Sequence, residues 1–239
     1  MREPTLIRLT LDASVVHDLA KDARPCHAAA VGVVGLHGSR LADVAVTRYI
    51  DDDIPDDPLA TLVRELPVLR AGGVFTIGFS LIGGDDGLGW QRFLDLQEEL
   101  QLTWRPSSGK PPDARDWSHL HAHAIKRRHL FVTRDVPLLE LVEVLAPLLA
   151  ADAEAEQLLP LRAVTPQTLL DRLKNPTACP VCSGTQVTVT LRDPAADASP
   201  PPRISYGRWS ECRGCLVQWT HPEPDLPDWL PPPSTSGSR

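Results

Sequence analysis

One stretch decides the fold of this chain, the segment Asp113–Asp135, which reads DARDWSHLHAHAIKRRHLFVTRD. Asp116 stands where a helix N-cap is expected, because a short acidic side chain there accepts hydrogen bonds from the first helical N–H groups. An apolar stripe follows at helical spacing and consists of Leu120, Ala124 and Ile125. The stretch therefore begins with an amphipathic helix.

A short strand is predicted after this helix. Lys126–Arg128 place positive charge at the C-terminal end of the helix, which the helix dipole favours. Leu130–Thr133 is apolar and rich in strand formers, which is typical of a strand covered on both faces. Asp135 follows it, and ligands bind at the carboxyl ends of strands in open α/β sheets. We therefore expect Asp116 and Asp135 to face one crevice.

A third acid has the same placement near the N-terminus. Leu6–Leu11 predicts a strand that ends at Asp12, and Ser14–Ala20 predicts the next helix. Asp12 joins Asp116 and Asp135 only if the strands are parallel. Clustered carboxylates repel one another unless a cation neutralises them, and hard cations such as Mg²⁺ or Mn²⁺ prefer oxygen ligands. The pattern predicts an α/β domain with a parallel sheet, helices on both faces, and a magnesium or manganese site.

These motifs resemble those of PIN-domain nucleases and follow the family's order. Leu11–Val16 resembles the opening strand, acid and helix start of the family. Its third and fourth acidic motifs resemble Asp116–Ala124 and Phe131–Asp135. Its Thr-Pro step into the last helix resembles Val164–Leu170, so the match covers roughly residues 4–174.

The resemblance implies metal-dependent hydrolysis of RNA phosphodiester bonds. Asp12, Asp116 and Asp135 would then be the catalytic residues that hold Mg²⁺ or Mn²⁺, and the ion would activate water and stabilise charge on the phosphate. Ser14 and Arg134, which lie in the matching motifs, are candidate substrate-binding residues.

The PIN pattern also expects a second acid, usually a glutamate on a helix, and this sequence departs from it. Asp53, ahead of Ile54-Pro55, is the candidate catalytic residue for that position, and Asp51 is the alternative. A solvated acidic turn is a third interpretation. The completeness of the metal site depends on this point.

Three histidines follow the helix start. His119 lies one turn beyond Asp116, so it is a candidate substrate-binding residue that contacts a phosphate or tunes the acids. A packed or surface histidine is the alternative for His119, and it is the favoured interpretation of His121 and His123.

The other elements are predicted from periodicity and turn residues. Helices are predicted at residues 26–41, 59–69, 90–102, 137–149 and 166–173, and strands at residues 43–47, 74–78 and 158–164. Pro147 is expected to break or kink its helix. Cys26 stands alone and is interpreted as a small buried hydrophobic residue.

The C-terminal part contains two Cys-x-x-Cys pairs, which are Cys179 with Cys182 and Cys212 with Cys215. Four thiolates in two such pairs form a tetrahedral zinc site, and redox pairing is the alternative. Gln186–Leu191 and Ile204–Trp209 alternate in the manner of strands, which predicts a zinc ribbon. Because protein ligands fill all four positions, the zinc is expected to be structural.

Asn175-Pro176 marks the predicted boundary between a PIN-like domain, residues 1–174, and the ribbon, residues 175–222. Residues 223–239 form a Pro-rich tail that is expected to be disordered. The arginines and aromatic residues of the ribbon suit single-stranded RNA. They suit equally a small core and a face that docks a protein partner.

Composition adds weaker bounds. In 239 residues, a hydrophobic fraction of 42% suits a real core. The net charge of −7 argues mildly against nucleic-acid binding, since phosphate contacts require Lys and Arg. No apolar run approaches the roughly 18 residues of a membrane span, and Glu3 and Asp12 argue against a signal peptide, so a cytoplasmic protein with no membrane partner is expected.

The sequence therefore predicts a metal-dependent ribonuclease with a zinc ribbon that assists RNA or partner binding. The first alternative is a catalytically degenerate PIN scaffold that acts as an RNA- or protein-binding adaptor, which the missing second acid and the negative charge favour. A toxin-type ribonuclease held inactive by a partner protein is a further alternative. The ribbon argues against it, because free-standing PIN toxins are short single domains.

Overall fold

The computed structural model of the protein describes eight segments: residues 5–19, 23–38, 41–50, 66–69, 90–152, 160–175, 177–192 and 207–220. Within these segments the chain forms six helices and eight strands. The α/β class predicted from the sequence is confirmed, although the sheet is mixed and only partly parallel.

Helices and strands are interspersed along the described chain, and its last three elements are all strands. The helices are α1 (Ala13–Leu19), α2 (His27–Gly38), α3 (Trp90–Thr103), α4 (Ala114–Ile125), α5 (Val136–Ala150) and α6 (Pro166–Lys174). The strands are β1 (Thr5–Leu11), β2 (Ala42–Thr47), β3 (Val68–Leu69), β4 (Leu130–Val132), β5 (Ala163–Val164), β6 (Val187–Arg192), β7 (Gly207–Cys212) and β8 (Val217–Thr220).

Strand β1 is the centre of the sheet. It pairs in parallel with β2, where Leu9 lies opposite Val44, and with β4, where Leu9 lies opposite Leu130. Strand β3 pairs in parallel with β2, and β5 with β4, which gives the order β3-β2-β1-β4-β5. The parallel arrangement on which the convergence of the three acids depends is therefore present in this part of the sheet.

The C-terminal strands join the same sheet. Strands β6, β7 and β8 form an antiparallel meander, and β8 then pairs in parallel with β1. This last pairing places Thr5 opposite Val217 and Leu6 opposite Gln218. The first residues of the central strand are thus paired with a strand from the far end of the chain.

Each face of the sheet carries its own hydrophobic core, and β4 contributes to both. Leu130 and Val132 pack in one cluster, together with residues of α1, α2 and α6. Phe131, which points to the opposite face, packs in the other cluster with residues of α3, α4 and α5. Cys179 and Trp219 lie in the first cluster, so the C-terminal strands share a core with β1.

Two helices begin at residues whose side chains cap them. Asp113, and not Asp116 as predicted, is the N-cap of α4, because the Asp113 carboxylate accepts from the Arg115 and Asp116 N–H groups. Asp116 lies three residues after this N-cap, and its carboxylate accepts a hydrogen bond of 2.7 Å from the Asp113 N–H. The two aspartates therefore form a capping box. Thr165 caps α6 by accepting from the Thr168 N–H at 3.1 Å.

Two further expectations were wrong in detail. Helix α5 confirms the helix predicted at residues 137–149, but it continues through Pro147 to Ala150, so the break allowed for at Pro147 does not occur. The helix predicted to end at Leu69 is contradicted at that end, where Val68 and Leu69 form β3, while residues 59–65 lie outside the described segments. The strand predicted at residues 204–209 corresponds to β7, which continues to Cys212, while residues 204–206 lie outside the described segments. The strand predicted at residues 74–78 also lies outside the described segments.

The described helices include none that combines the length and the apolar character needed to cross a membrane.

Candidate functional site

The C-terminal ends of β1 and β4 open into a cleft of about 630 Å³. Because β2 lies on one side of β1 and β4 on the other, the strand order reverses here, and ligands bind at such switch points. The residues that line the cleft are Asp12, Ala13, Ser14, His17, Arg24, Asp113, Arg115, Asp116, Arg134 and Asp135. The structure thus brings Asp12, Asp116 and Asp135 to one place.

Asp12 is the most buried of the three acids, with 3% of its surface exposed. One carboxylate oxygen, Oδ2, accepts from Ser14 Oγ at 2.5 Å, from Ser14 N at 3.2 Å and from Thr133 Oγ1 at 2.8 Å. Among the described residues, none donates to the other oxygen, Oδ1. The carboxylate is therefore held by one oxygen and presents the second to a ligand.

Asp116 enters the cleft from the first turn of α4. Burial first, and then the nearby carboxylates, raise the pKa of its carboxyl to about 6, against the opposing hydrogen bond from the Asp113 N–H. Those carboxylates belong to Asp113, Asp12 and Asp135. Asp116 therefore lies close to other negative charges, and a bound cation would reduce the repulsion between them.

Asp135 enters the cleft from the N-terminus of α5. It occupies the N-cap position but makes no side-chain capping hydrogen bond, while its N–H donates to Thr133 Oγ1 at 3.0 Å. Burial, and then the Asp12 carboxylate, raise the pKa of Asp135. Thr133 therefore links the two acids, since it donates to Asp12 and accepts from the backbone of Asp135.

The three acids line the same cleft, but their carboxylate oxygens do not all lie close to one another. Within the described segments, only the four-cysteine cluster brings three or more His, Cys, Asp or Glu ligand atoms within 4.8 Å of one another. Asp12, Asp116 and Asp135 do not reach that spacing, so one ion bound by all three would require their side chains to move closer.

Sequence reasoning missed several residues of the cleft, namely His17, Arg24, Asp113 and Arg115. Asp113 and Arg115 had a usable signal, because Asp113-x-x-Asp116 is itself a capping box. Arg24 had none, because its segment reaches the cleft only through the packing of α1 and α2. The cleft therefore carries more positive charge than its acidic motifs suggested.

The predicted substrate-binding residues have different surroundings. Ser14 lies in the cleft, where its Oγ donates to Asp12 and accepts from the Arg134 N–H at 3.0 Å. The Arg134 side chain also lines the cleft. His119 is not among the residues that line the cleft; it is 1% exposed and bonds Thr47 Oγ1 at 2.5 Å, and its role in substrate binding stays a prediction. Asp53 and its alternative, Asp51, lie outside the described residues.

His121 and His123 are packed in the interior, as their favoured interpretation expected. They are 6% and 0% exposed, and burial lowers the pKa of each to about 3. His123 Nδ1 bonds Thr10 Oγ1 at 2.9 Å, and its ring lies edge-on to Phe131. His123 thus joins α4 to β1 directly behind the cleft, in its neutral form.

The four C-terminal cysteines form the second candidate site. Their sulfur atoms all lie within 4.8 Å of one another, and none of the chain's cysteines forms a disulfide. Cys179 and Cys215, like Cys182 and Cys212, have Sγ atoms 3.5 Å apart. Zinc–thiolate bonds of about 2.3 Å in a tetrahedron separate the sulfurs by about 3.8 Å. The cluster is therefore positioned to bind a metal ion such as zinc.

The two cysteine pairs have matching backbone turns. The Ser183 N–H donates to Cys179 O at 2.9 Å, and the Leu216 N–H donates to Cys212 O at 2.8 Å. Ser183 and Leu216 both have φ of 59°, in the left-handed region that glycine usually occupies. Two non-glycine residues held in this conformation at equivalent places indicate that the turns are specified by the cluster.

Two thiols of the cluster have pKa values that are shifted in opposite directions. A hydrogen bond from Cys215 lowers the pKa of Cys179 to about 5, and the same bond raises the pKa of Cys215. Burial and the neighbouring thiols also raise the pKa of Cys182, so a bound metal ion would favour ionisation of Cys182 and Cys215. Cys26, the fifth cysteine, is partly exposed and lies outside the cluster.

Comparisons with known proteins add no family assignment to this geometry. No family model, no curated protein and no solved structure matches the chain. The inference of function therefore rests on the residues of the cleft and of the cluster.

Proposed function

We propose that the protein is a divalent-metal-dependent ribonuclease that hydrolyses RNA phosphodiester bonds in the acidic cleft. The observation that carries the proposal is the convergence of Asp12, Asp116 and Asp135 in one cleft at the switch point of the parallel strands. The substrate class comes from the resemblance of the motifs around these acids to those of PIN-domain nucleases.

The three acids suit a hard cation. Each offers carboxylate oxygen, the ligand that Mg²⁺ and Mn²⁺ prefer, and burial together with the neighbouring carboxylates raises the pKa of Asp116 and of Asp135. Asp12 Oδ1, Asp116 and Asp135 would hold the ion. A bound Mg²⁺ or Mn²⁺ would supply activation of the attacking water and compensation of charge on the phosphate.

The surrounding residues orient these acids. Ser14 and Thr133 donate to Asp12 and fix the plane of its carboxylate. Asp113 fixes Asp116 through the reciprocal hydrogen bonds of the capping box. The carboxylates therefore project from the ends of regular elements, and the proposed hydrolysis by water requires no nucleophile from the protein.

The test is cleavage of a mixed set of labelled RNAs with Mn²⁺ or Mg²⁺, comparing the wild type with Asp135→Asn. Asp95→Asn is the matched control, because Asp95 is an exposed residue of α3 outside the cleft. We expect metal-dependent cleavage by the wild type and the control, and a loss of at least about a hundredfold in Asp135→Asn. Equal cleavage by all three proteins, or none by a folded wild type, contradicts the proposal.

The cysteine cluster is proposed as a structural zinc site. All four positions are filled by protein thiols, which leaves no open position for a substrate. The antiparallel strands β6 and β7 begin and end beside the cysteines, in the manner of a zinc ribbon. The ribbon then presents its outer surface to RNA or to a protein partner.

A second candidate function is an adaptor that binds RNA or protein without cleaving it. It is favoured by the spacing of the three acids, which do not close to within 4.8 Å of one another in the described structure. Binding of RNA that is unchanged by removal of divalent ions, together with absence of cleavage, supports the adaptor. Binding that requires Mg²⁺ or Mn²⁺ argues against it.

A further inference from the structure

A buried acid lies behind the cleft and is not one of the three acids already described. Asp18, near the end of α1, is 1% exposed. Its Oδ2 lies 2.7 Å from Arg134 Nε, and its Oδ1 lies 3.3 Å from Arg24 Nη1. The buried carboxylate of Asp18 therefore forms ion pairs with two arginines that come from separate parts of the chain.

Both arginines keep part of their guanidinium toward the cleft. The Arg134 side chain is 44% exposed and that of Arg24 is 36% exposed, and both line the cleft beside the acids. A guanidinium has five N–H donors, so an ion pair with Asp18 through one nitrogen leaves donors for a ligand. Two charges on the arginines against one on Asp18 leave an excess positive charge at this wall.

The backbone next to Arg134 is held as well. The Arg134 N–H donates to Ser14 Oγ, which also donates to Asp12. The main chain of Arg134 is thus connected to Asp12 by hydrogen bonds through Ser14, and its side chain forms an ion pair with Asp18. Fixing both ends removes conformational freedom that a ligand would otherwise have to restrict on binding.

We propose that Asp18 positions Arg24 and Arg134 as a clamp for a backbone phosphate of the nucleic-acid strand, next to the phosphate that reacts at the acids. The ligand class rests on the proposed function. Arginine pairs suit phosphate because their planar donors match its oxygens. The two walls of the cleft then divide the task, since the acids bind a cation and the arginines bind an anion.

The test measures binding and not cleavage. A fluorescein-labelled single-stranded RNA is titrated with zinc-loaded protein in buffer without added Mg²⁺ or Mn²⁺, and the dissociation constant is followed from 50 to 200 mM salt. Arg24→Gln and Arg134→Gln are each expected to weaken binding about tenfold and to reduce the log–log salt slope by about 0.7, the value for one lost phosphate contact on a single strand. Arg134→Lys should restore part of the salt slope but not the full affinity.

Asp18→Asn is the most decisive variant, because the loss of a positioning group and the loss of a negative charge predict opposite changes in RNA affinity. The variant makes the cleft more positive by one charge, so charge alone predicts tighter binding of RNA. If Asp18 positions the arginines, binding weakens despite the added positive charge. Tighter binding by Asp18→Asn, or salt slopes unchanged in Arg24→Gln and Arg134→Gln, would overturn the clamp.

Arg92→Gln is the matched control. Arg92 also pairs with an aspartate through Nε, Asp152 Oδ2 at 2.7 Å, and has a similar exposure of 32%, but it does not line the cleft. It should leave RNA binding unchanged. Thermal denaturation of each variant shows whether it is folded, and if Asp18→Asn is not, the two arginine variants decide the outcome.

The clamp and the ribonuclease proposal fail separately. Loss of binding in the arginine variants, with no cleavage by the wild type, keeps the clamp and removes catalysis. Cleavage that depends on Asp135, with RNA binding unaffected by either arginine, keeps the ribonuclease and removes the clamp.

Discussion

The cysteine cluster and the acidic cleft are two groups of ionisable side chains that differ in how closely their ligand atoms approach one another. In the cluster, four ligand atoms lie within 4.8 Å of one another around a space that fits one ion. In the cleft, three acids line about 630 Å³ together with arginines and a histidine, and they do not close around a point. The difference lies in how much room remains once the side chains are in place.

Such a difference is expected between a structural metal site and a site that binds a substrate. A metal with four protein thiols has no position left for a substrate, so its binding energy goes into folding. Carboxylates crowded at the rim of an open cleft destabilise the protein on their own, as the raised pKa of Asp116 and of Asp135 indicates. Such strain is expected where a ligand supplies the missing charge.

Breaking the cluster should have the largest effect. We expect Cys212→Ser to lose the bound zinc, roughly one ion per chain, and to lower the melting temperature by about 10 °C or more, because a four-ligand zinc site contributes several kcal/mol to folding. Metal analysis and thermal denaturation measure these changes. Cys26→Ser is the control and should match the wild type. A Cys212→Ser protein with unchanged zinc content would contradict the assignment of the cluster.

Acid should weaken the elements behind the cleft through their buried histidines. Burial lowers the pKa of His121 and His123 to about 3 and that of His129 to about 4, whereas the unfolded side chain titrates near 6.5. Below about pH 6.5 each of these three histidines binds a proton in the unfolded chain that it does not bind in the folded one. Their contribution to the free energy of unfolding should therefore be complete above pH 6.5 and fall by up to about 1.4 kcal/mol per pH unit for each histidine below it, while the raised pKa of Asp116 acts in the opposite direction.

The measurement is urea denaturation of the wild type and of His123→Asn between pH 7.5 and pH 5.5, with zinc present. Asparagine keeps a polar atom near Thr10, so the variant should show a shallower pH dependence by about 1.4 kcal/mol per unit below pH 6.5. An identical slope in the two proteins would show that His123 is not the group whose burial sets this dependence.

Removing one cleft acid should test whether crowding costs stability. At pH 7 we expect Asp135→Asn to unfold at the same free energy as the wild type or up to about 1 kcal/mol higher, since the amide removes one charge from beside Asp12. Chemical denaturation of the zinc-loaded proteins, without added Mg²⁺ or Mn²⁺, measures the difference. Asp95→Asn, on the exposed face of α3, should show no change. A clear loss of stability in Asp135→Asn would mean that the carboxylate stabilises the fold.

The smallest expected effect concerns the turns of the cluster. Ser183 is exposed and has φ of 59°, so Ser183→Gly should stabilise the protein by about 0.5 kcal/mol, because glycine adopts this conformation without the clash of a Cβ. Ser183→Ala keeps the Cβ and is the matched control. Thermal denaturation with zinc present should rank glycine above serine and alanine, and the reverse ranking would refute this view of the turn.

Local pattern predicted the elements well where one segment determines its own structure. Helices α2, α3 and α6 and strands β1, β2 and β4 were expected close to their observed bounds, because their apolar spacing or capping residues lie within the segment. The start of α4 was misplaced by one turn because Asp113 and Asp116 have the same side chain, and the two are distinguished only by which backbone N–H groups donate to each carboxylate.

The misses depend on contacts between distant segments. Pro147 stays inside α5, where packing of Leu145 and Leu149 in the core favours the continuous helix over the bond that proline removes. Strand β8 was not predicted at all, because its pairing with Thr5 and Leu6 has no local signature. For the cleft, the sequence predicted the three acids, but it did not predict that Asp18 holds Arg24 and Arg134 beside them.

The pairing of β8 with β1 also has a consequence for how the chain folds. Thr5 pairs with Val217, so contacts at the centre of the sheet wait for residues synthesised near the end of the described chain. Closing so long a loop is slow, since contacts of large sequence separation form late in folding. A nascent chain that stops before Val217 would expose the first residues of β1 as an open strand edge, which favours aggregation. The last described strand therefore protects the first.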